Sequence, residues 1–313
     1  MKGHIFQLAK NIPANRLWLV FLRVGISSVA IIHFAALQGD FNDLFSQDSF
    51  VSPDISDALK NQLLPSFYSI SHVTSKIFGI GYSALLLTVR IVYPIALLSV
   101  LVGFLTRFSA LLSLLLQLLI LNSMGLYTYG ADVFTTIGLF YCSVFPVGKD
   151  ASLDHLLFKK PVITTHLNKF LLIFRIHICL IYFFSGFEKL LGYNWRNGES
   201  MWKMVHAYNV LPSVDLDFLA RTPLFLIAGW LVIALEMLYP LFINITKTRR
   251  TWLWLVVSFH IAIAFFMGLY FFSALMIVFN LTAYYIPFIS HKNNSDGPAN
   301  PDAFHDGPLA LFI

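Results

Sequence analysis

Eight apolar runs dominate this chain, lying at 17–37, 82–104, 108–124, 133–147, 170–190, 223–243, 252–267 and 270–289. A helix rising about 1.5 Å per residue needs roughly 20 such residues to cross a hydrocarbon core of about 30 Å, and most of these runs approach that length. The predicted fold class is therefore all-α, a polytopic helical membrane protein with about eight transmembrane helices. Composition agrees: 58% of residues are hydrophobic and 12% charged, with a mean hydropathy of +0.73, against roughly 25% charged in soluble domains. The last two runs share one apolar stretch in which only 267–270 offers a turn, so a hairpin and a broken helix both remain open.

Charge gives an orientation. With eight spans and an inside N-terminus, Lys2, Lys10, Arg16, Arg107, Lys149, Lys159, Lys160, Lys169, Lys247, Arg249, Arg250 and Lys292 fall inside, twelve in all. Lys60, Lys76, Lys189, Arg196, Lys203 and Arg221 fall outside, six in all, beside an acidic first outer loop. That bias predicts both chain ends on the cytoplasmic side, and short loops without a disulfide framework point to a bacterial inner membrane. Seven spans with a re-entrant hairpin satisfy most of the same counts. The first run is too long, and carries Arg23, for a cleaved signal peptide. Residues 1–290 read as one transmembrane domain and 291–313 as a polar, disordered tail. An interfacial helix is predicted at 199–208, between the fifth and sixth spans, ending before Pro212.

The net charge of +5 does not point to nucleic acid, because Lys and Arg cluster at the ends of apolar runs and form no basic face with interleaved aromatics. Ten histidines offer no pair at helical ligand spacing and no adjoining Cys or carboxylate cluster, so no metal site is expected. The chemistry-bearing residues are those carried into the spans: Arg23, His33, Arg90, Arg175, His177, Glu236 and His260, with Asp132, Glu188 and Lys189 near span ends. A charge in hydrocarbon costs a few kcal/mol on insertion scales and needs a partner. Arg23 reads as snorkelling to the inner surface, and Glu236 as the partner of a buried arginine. Arg175, Cys179, Tyr182, Gly186 and Lys189 recur at steps of three and four, which places them on one helical stripe ending in an amine. An amine among apolar neighbours can serve as a base, although a lysine there can also simply reach the headgroups.

The stretch 175–201, RIHICLIYFFSGFEKLLGYNWRNGESM, resembles a segment of vitamin K-dependent gamma-glutamyl carboxylase and its bacterial relatives, the HTTM membrane-domain family. The shared residues are Arg175, Tyr182, Gly186, Lys189, Leu190, Trp195, Gly198 and Met201. Further matches follow in order: Gly103 with Arg107, then Phe145 with Ser152, Asp154 and Leu156, then Leu235 with Glu236, and Phe259 with His260. The resemblance implies that Lys189 takes a proton from a reduced vitamin K-like quinol. It also implies a quinone-type cofactor. The chain departs from the carboxylase in three places. Before the fourth span it reads YTYGADVF and has no histidine, Ile261 to Phe266 is wholly apolar, and only a short tail follows the spans. Glutamate carboxylation of a protein is accordingly not expected.

The expected function is that of an integral membrane protein acting on a quinone-like or other lipid-soluble substrate. Lys189, Tyr182 and His260 are the candidate catalytic residues, and Arg175, Glu236, Trp195 and Asp132 the candidate substrate-binding residues. Arg175, Tyr182, Lys189, Glu236 and His260 are expected to line a cavity open to the outer side, with Arg175 and Glu236 as an orienting pair. The alternative is a non-catalytic membrane subunit or a small-molecule transporter. Expected partners are the bilayer, a small lipid-soluble substrate and a membrane protein.

Overall fold

In the computed structural model, the described residues are 16–59, 62–158, 166–206 and 222–287, and among them every regular element is helical. Eight long helices follow the eight runs. They are α1 (Leu17–Ala36), α2 (Tyr82–Val102), α3 (Thr106–Met124), α4 (Gly130–Val144), α5 (Leu167–Leu191), α6 (Leu224–Met237), α7 (Thr246–Met267) and α8 (Tyr270–Asn280). Helices α1, α2, α3, α5 and α7 are long and apolar enough to cross a membrane unaided. Helix α6 is continued by a turn at Tyr239–Phe242, and α8 by a π-helical turn at Leu281–Tyr285. The α7–α8 question resolves as a hairpin: Gly268 adopts φ 66°, a left-handed conformation open to glycine, and closes α7. The predicted tail, Pro212 and the inner Lys159 and Lys160 lie outside the described residues.

Helices α2, α3 and α4 pack as successive antiparallel neighbours, α1 covers α2 and α4, and α5 pairs with α6. Helix α8 is shared, packing on α1 and α4 on one side and on α7 on the other. The residues facing outward are large and apolar, among them Leu172, Ile173, Ile176, Leu180 and Phe184 on α5, as a lipid-facing surface requires.

The segment between α1 and α2 is more structured than its acidic composition suggests. It holds helices Phe41–Phe45, Pro53–Leu59 and Phe67–Phe78. Ser66 and Ser69 cap the last of these reciprocally, with bonds of 3.1 and 2.8 Å. The loop is fastened to the end of α3, since Asn122 Nδ2 donates to Leu64 O at 2.7 Å and Ser123 Oγ accepts from Phe67 N at 2.8 Å. Among the described residues Arg90 of α2 pairs with no carboxylate; its Nε donates to Gln38 Oε1 at 2.6 Å and its guanidinium lies 5.1 Å over the Phe41 ring. The interfacial helix is present as Glu199–Val205, preceded by a turn at Tyr193–Arg196. It docks on α6 and α7 through Gly198, where a Cβ would meet the backbone of Phe225 and Leu226. Lys203 donates to Glu199 at 2.6 Å and holds that carboxyl below its ordinary range.

The opposite ends of the helices are fastened by a clasp around Asp154. Its carboxylate accepts from Leu105 N and Thr106 N, each at 2.7 Å, and from Thr106 Oγ1 at 2.6 Å, while its own N–H donates to Gly103 O at 2.9 Å. Asp154, on the short helix Leu153–Phe158, thus caps α3 from a distant part of the chain. Arg23 does not snorkel; it is 1% exposed and its Nη2 donates to Ala151 O at 2.5 Å. Gly103, at φ 72°, leaves the space that its guanidinium fills. Arg16 pairs with Asp150 at 3.4 Å beside it. The resemblance residues Gly103, Ser152 and Asp154 therefore act here as scaffold. Replacing Asp154 by Ala removes three acceptor contacts, and loss of a cap typically costs about 0.5–2 kcal/mol. The expected result is a lower thermal unfolding midpoint in detergent for Asp154→Ala, a smaller drop for Asp154→Asn, and a drop for Gly103→Ala from the crowding of Arg23.

Candidate functional site

The α5 stripe forms as the spacing predicts, and each of its members meets a different neighbour. At its N-terminal end Arg175 Nε donates to Ala283 O, within the π-helical turn, at 2.8 Å, and the guanidinium lies 5.0 Å over the Tyr284 ring. Cys179 approaches Tyr284 Oη at 3.4 Å and accepts from Asn244 Nδ2 at 3.5 Å. Arg175 therefore does not pair with Glu236, and the expected orienting pair is corrected. An arginine could be satisfied by a carbonyl because a π turn shifts the backbone hydrogen-bond register.

One turn further out, Tyr182 enters a closed network with His260 of α7 and Asn280 of α8. Tyr182 Oη lies 2.7 Å from His260 Nε2, and Asn280 Nδ2 donates to Tyr182 Oη at 2.8 Å. Asn280 Oδ1 accepts from Tyr239 Oη at 2.8 Å, and the Tyr182 and Tyr239 rings stack with centroids 4.0 Å apart. With Asn280 Nδ2 donating to Tyr182 Oη, the arrangement that leaves the tyrosine's own proton a partner has Tyr182 donating to Nε2, and this assigns the imidazole proton to Nδ1. That Nδ1–H is buried and has no hydrogen-bond partner among the described residues. Tyr182 and His260 are each 2% exposed, and Asn280 is fully enclosed.

Two turns beyond Tyr182, about 10 Å along the same face, lies the Lys189–Glu236 pair. Lys189 Nζ donates to Glu236 Oε2 at 2.7 Å and to Ser185 Oγ at 2.6 Å, and sits 5.1 Å from the centre of the Trp195 ring. The pair exists because α5 and α6 cross at Gly186, where a Cβ would lie 2.8 Å from Met237 N and 3.0 Å from Glu236 Cβ. Glu236 lies twelve residues into α6, a rise of about 18 Å. Lys189 is thus turned toward α6, beside the turn that carries Trp195, with its amine on Glu236. Glu188, its sequence neighbour, faces outward. The side chains are 18% and 7% exposed, so the pair is a largely desolvated one.

Asp132 stands apart. Its Oδ2 accepts from Tyr129 N at 3.1 Å, closing the N-terminus of α4, and its carbonyl accepts from Gln117 Nε2 at 3.3 Å. Tyr129 Oη lies 3.3 Å from His33 Nε2. This second polar cluster belongs to α1, α3 and α4. It is separated from the first by Phe271 and Phe272 of α8, whose rings lie 4.6 Å from His33 and 5.7 Å from His260. The seven candidate residues therefore divide. Lys189, Glu236 and Trp195 form one contact group, Tyr182 and His260 a second on the same α5 face, Arg175 lies below both, and Asp132 lies across the bundle. They pack in direct contact with neighbours and do not ring one open cavity. Asn280, Tyr239 and Ser185 complete the site and carried no sequence signal beyond being polar residues in apolar runs.

A family model described as the HTTM domain matches residues 65–286, from the capped outer-loop helix to the π-helical turn. No curated protein and no solved structure matches the chain. The HTTM domain is the membrane domain associated with vitamin K-dependent carboxylase. The matched span contains α2 through α8, and with them Lys189, Glu236, Tyr182 and His260. With its apolar helices and charges satisfied within the bundle, the chain is an integral multi-pass membrane protein that belongs to the HTTM domain family.

Proposed function

We propose that the face of α5 between Tyr182 and Lys189 binds a quinone-like, lipid-soluble molecule, with Lys189 as the proton-handling group. The observation that carries this reading is the pairing of a desolvated Lys189–Glu236 contact with a neutral His260 that keeps a buried, unpartnered Nδ1–H. A quinone ring has carbonyl oxygens that accept such donors and a face that suits Trp195. When bound, it supplies two-electron redox chemistry. The protein's part is to hold protons. A proton passed across the 2.7 Å contact from Lys189 Nζ to Glu236 Oε2 leaves a neutral amine able to accept another. Without that transfer Lys189 is an ammonium and serves as an anion anchor instead. Tyr182, fixed by Asn280, keeps His260 in one tautomer and aims its free donor.

Protein glutamate carboxylation is no part of this proposal, and Arg175 and Asp132 act as packing groups in it. The bias of Lys and Arg supports placing the Asp154 clasp on the cytoplasmic side, and short loops without a disulfide framework support a bacterial inner membrane. The second reading, a non-catalytic subunit or transporter, is favoured by the completeness of the Lys189–Glu236 contact, since a satisfied pair can exist for packing alone.

Two measurements separate these readings. Mass spectrometry of co-purifying lipid-soluble molecules is expected to find a quinone on the native protein and to lose it in Lys189→Ala at unchanged protein yield. Identical lipid profiles would overturn the proposal. Breaking a buried pair typically costs about 3–5 kcal/mol, whereas replacing both members by apolar residues can be near neutral. Glu236→Ala is therefore expected to lower thermal stability more than Lys189→Met with Glu236→Leu together. The double variant, folded but without quinone, would assign the pair to the ligand as well as to packing.

A further inference from the structure

Away from the α5 face, a cavity of about 660 Å³ opens at the ends of α3, α4 and α5 on the side of the Asp154 clasp. That volume lies within the usual range of small-molecule sites, about 300–1,000 Å³. Four groups able to carry positive charge reach it from four separate places in the chain. They are Arg107 on the first turn of α3, Lys149 after α4, His155 on the short Leu153–Phe158 helix, and His166 at the start of α5. None of the four forms an ion pair with a carboxylate among the described residues.

The acidic group at this cavity is Asp154, and its two oxygens are occupied by Leu105 N, Thr106 N and Thr106 Oγ1. The α3 N-terminus is thereby already capped and is not itself the attraction. Nearby Asp150 is held by Arg16 at 3.4 Å. Positive charge is therefore gathered here in excess of what the fold consumes. The wall of the cavity is of the opposite character: Phe108, 66% exposed, and Phe170 line it, on helices whose outer surfaces face lipid.

We propose that this cavity binds the phosphate of an anionic glycerophospholipid, with Arg107 and Lys149 on the phosphate, His155 and His166 beside them, and the acyl chains against Phe108. Phosphate is the chemistry that matches the cationic groups, and the apolar wall selects a lipid over a soluble phosphate. Its position at the helix ends places the headgroup at the depth where a bilayer presents it. The bound lipid would join α3, α4 and α5 across the same loop that Asp154 fastens from within. This inference does not depend on the quinone reading, since it shares no residue with the α5 face.

The test uses the purified full chain in a neutral detergent. Thermal unfolding and native mass spectrometry are followed with phosphatidylglycerol, phosphatidylcholine or inorganic phosphate added. Phosphatidylglycerol is expected to raise the unfolding temperature saturably and to remain as one retained lipid. Arg107→Gln with Lys149→Gln is expected to weaken that binding at least tenfold, while Arg250→Gln, a basic residue outside the cavity, leaves it unchanged. If the double variant fails to fold, His155→Gln with His166→Gln is read in the same way, with a smaller loss expected. Equal stabilisation by phosphatidylcholine, or an undiminished response in both double variants, overturns the proposal. Equal stabilisation by inorganic phosphate overturns the lipid assignment and makes the site one for a soluble phosphate compound.

Discussion

Hydrocarbon offers no hydrogen-bond partner, so every polar group this chain takes into its helical body must be answered from within the chain. Four cations show how differently that is done. Lys189 is met by a carboxylate, Arg23 by the carbonyl of Ala151, Arg175 by a carbonyl in a π-helical turn and a tyrosine face, and Arg90 by Gln38 and Phe41. Of the four, only the first has a carboxylate partner among the described residues. The three arginines are answered by carbonyls, a side-chain amide and aromatic faces, which hold helices in place.

The two ends of the bundle are stabilised in unlike ways. On the clasp side, Leu105 and Ala151 both hold positive φ values of 43° although neither is glycine, a conformation that costs roughly 1–3 kcal/mol. Asp154 and Arg23 bind the backbone at these places, and that is what makes the strained turns persist. On the other side, short amphipathic helices with serine and glycine caps fold over the bundle and fasten it through Asn122 and Ser123. Between the ends, glycines at crossings set the depth of the polar groups. Gly186 allows the close approach of α5 and α6 at which Lys189 and Glu236 touch.

Much of this was legible in the sequence. The eight helices follow from the length of the apolar runs, the stripe on α5 from its three- and four-residue spacing, and the interfacial helix from its mixture of aromatics and charges. The helices of the first outer loop were not, because their apolar faces are short and their caps are made by serines that look like ordinary loop residues. Asn280 and Tyr239 were passed over for a related reason: one polar atom in an apolar run has no period.

Sequence by itself determined that this chain is an all-helical membrane protein and which residues would be costly to bury, since both depend on local composition and helical spacing. Only tertiary structure decided the partners. Glu236 was free to meet Arg175 or Lys189, and the crossing of α5 and α6 at Gly186 chose Lys189. Asp132 was grouped by its charge with the α5 residues, yet α8 puts two phenylalanine rings between them. Pairing in a bundle depends on the depth and rotation of each helix against its neighbour, and no run of residues read alone contains either quantity.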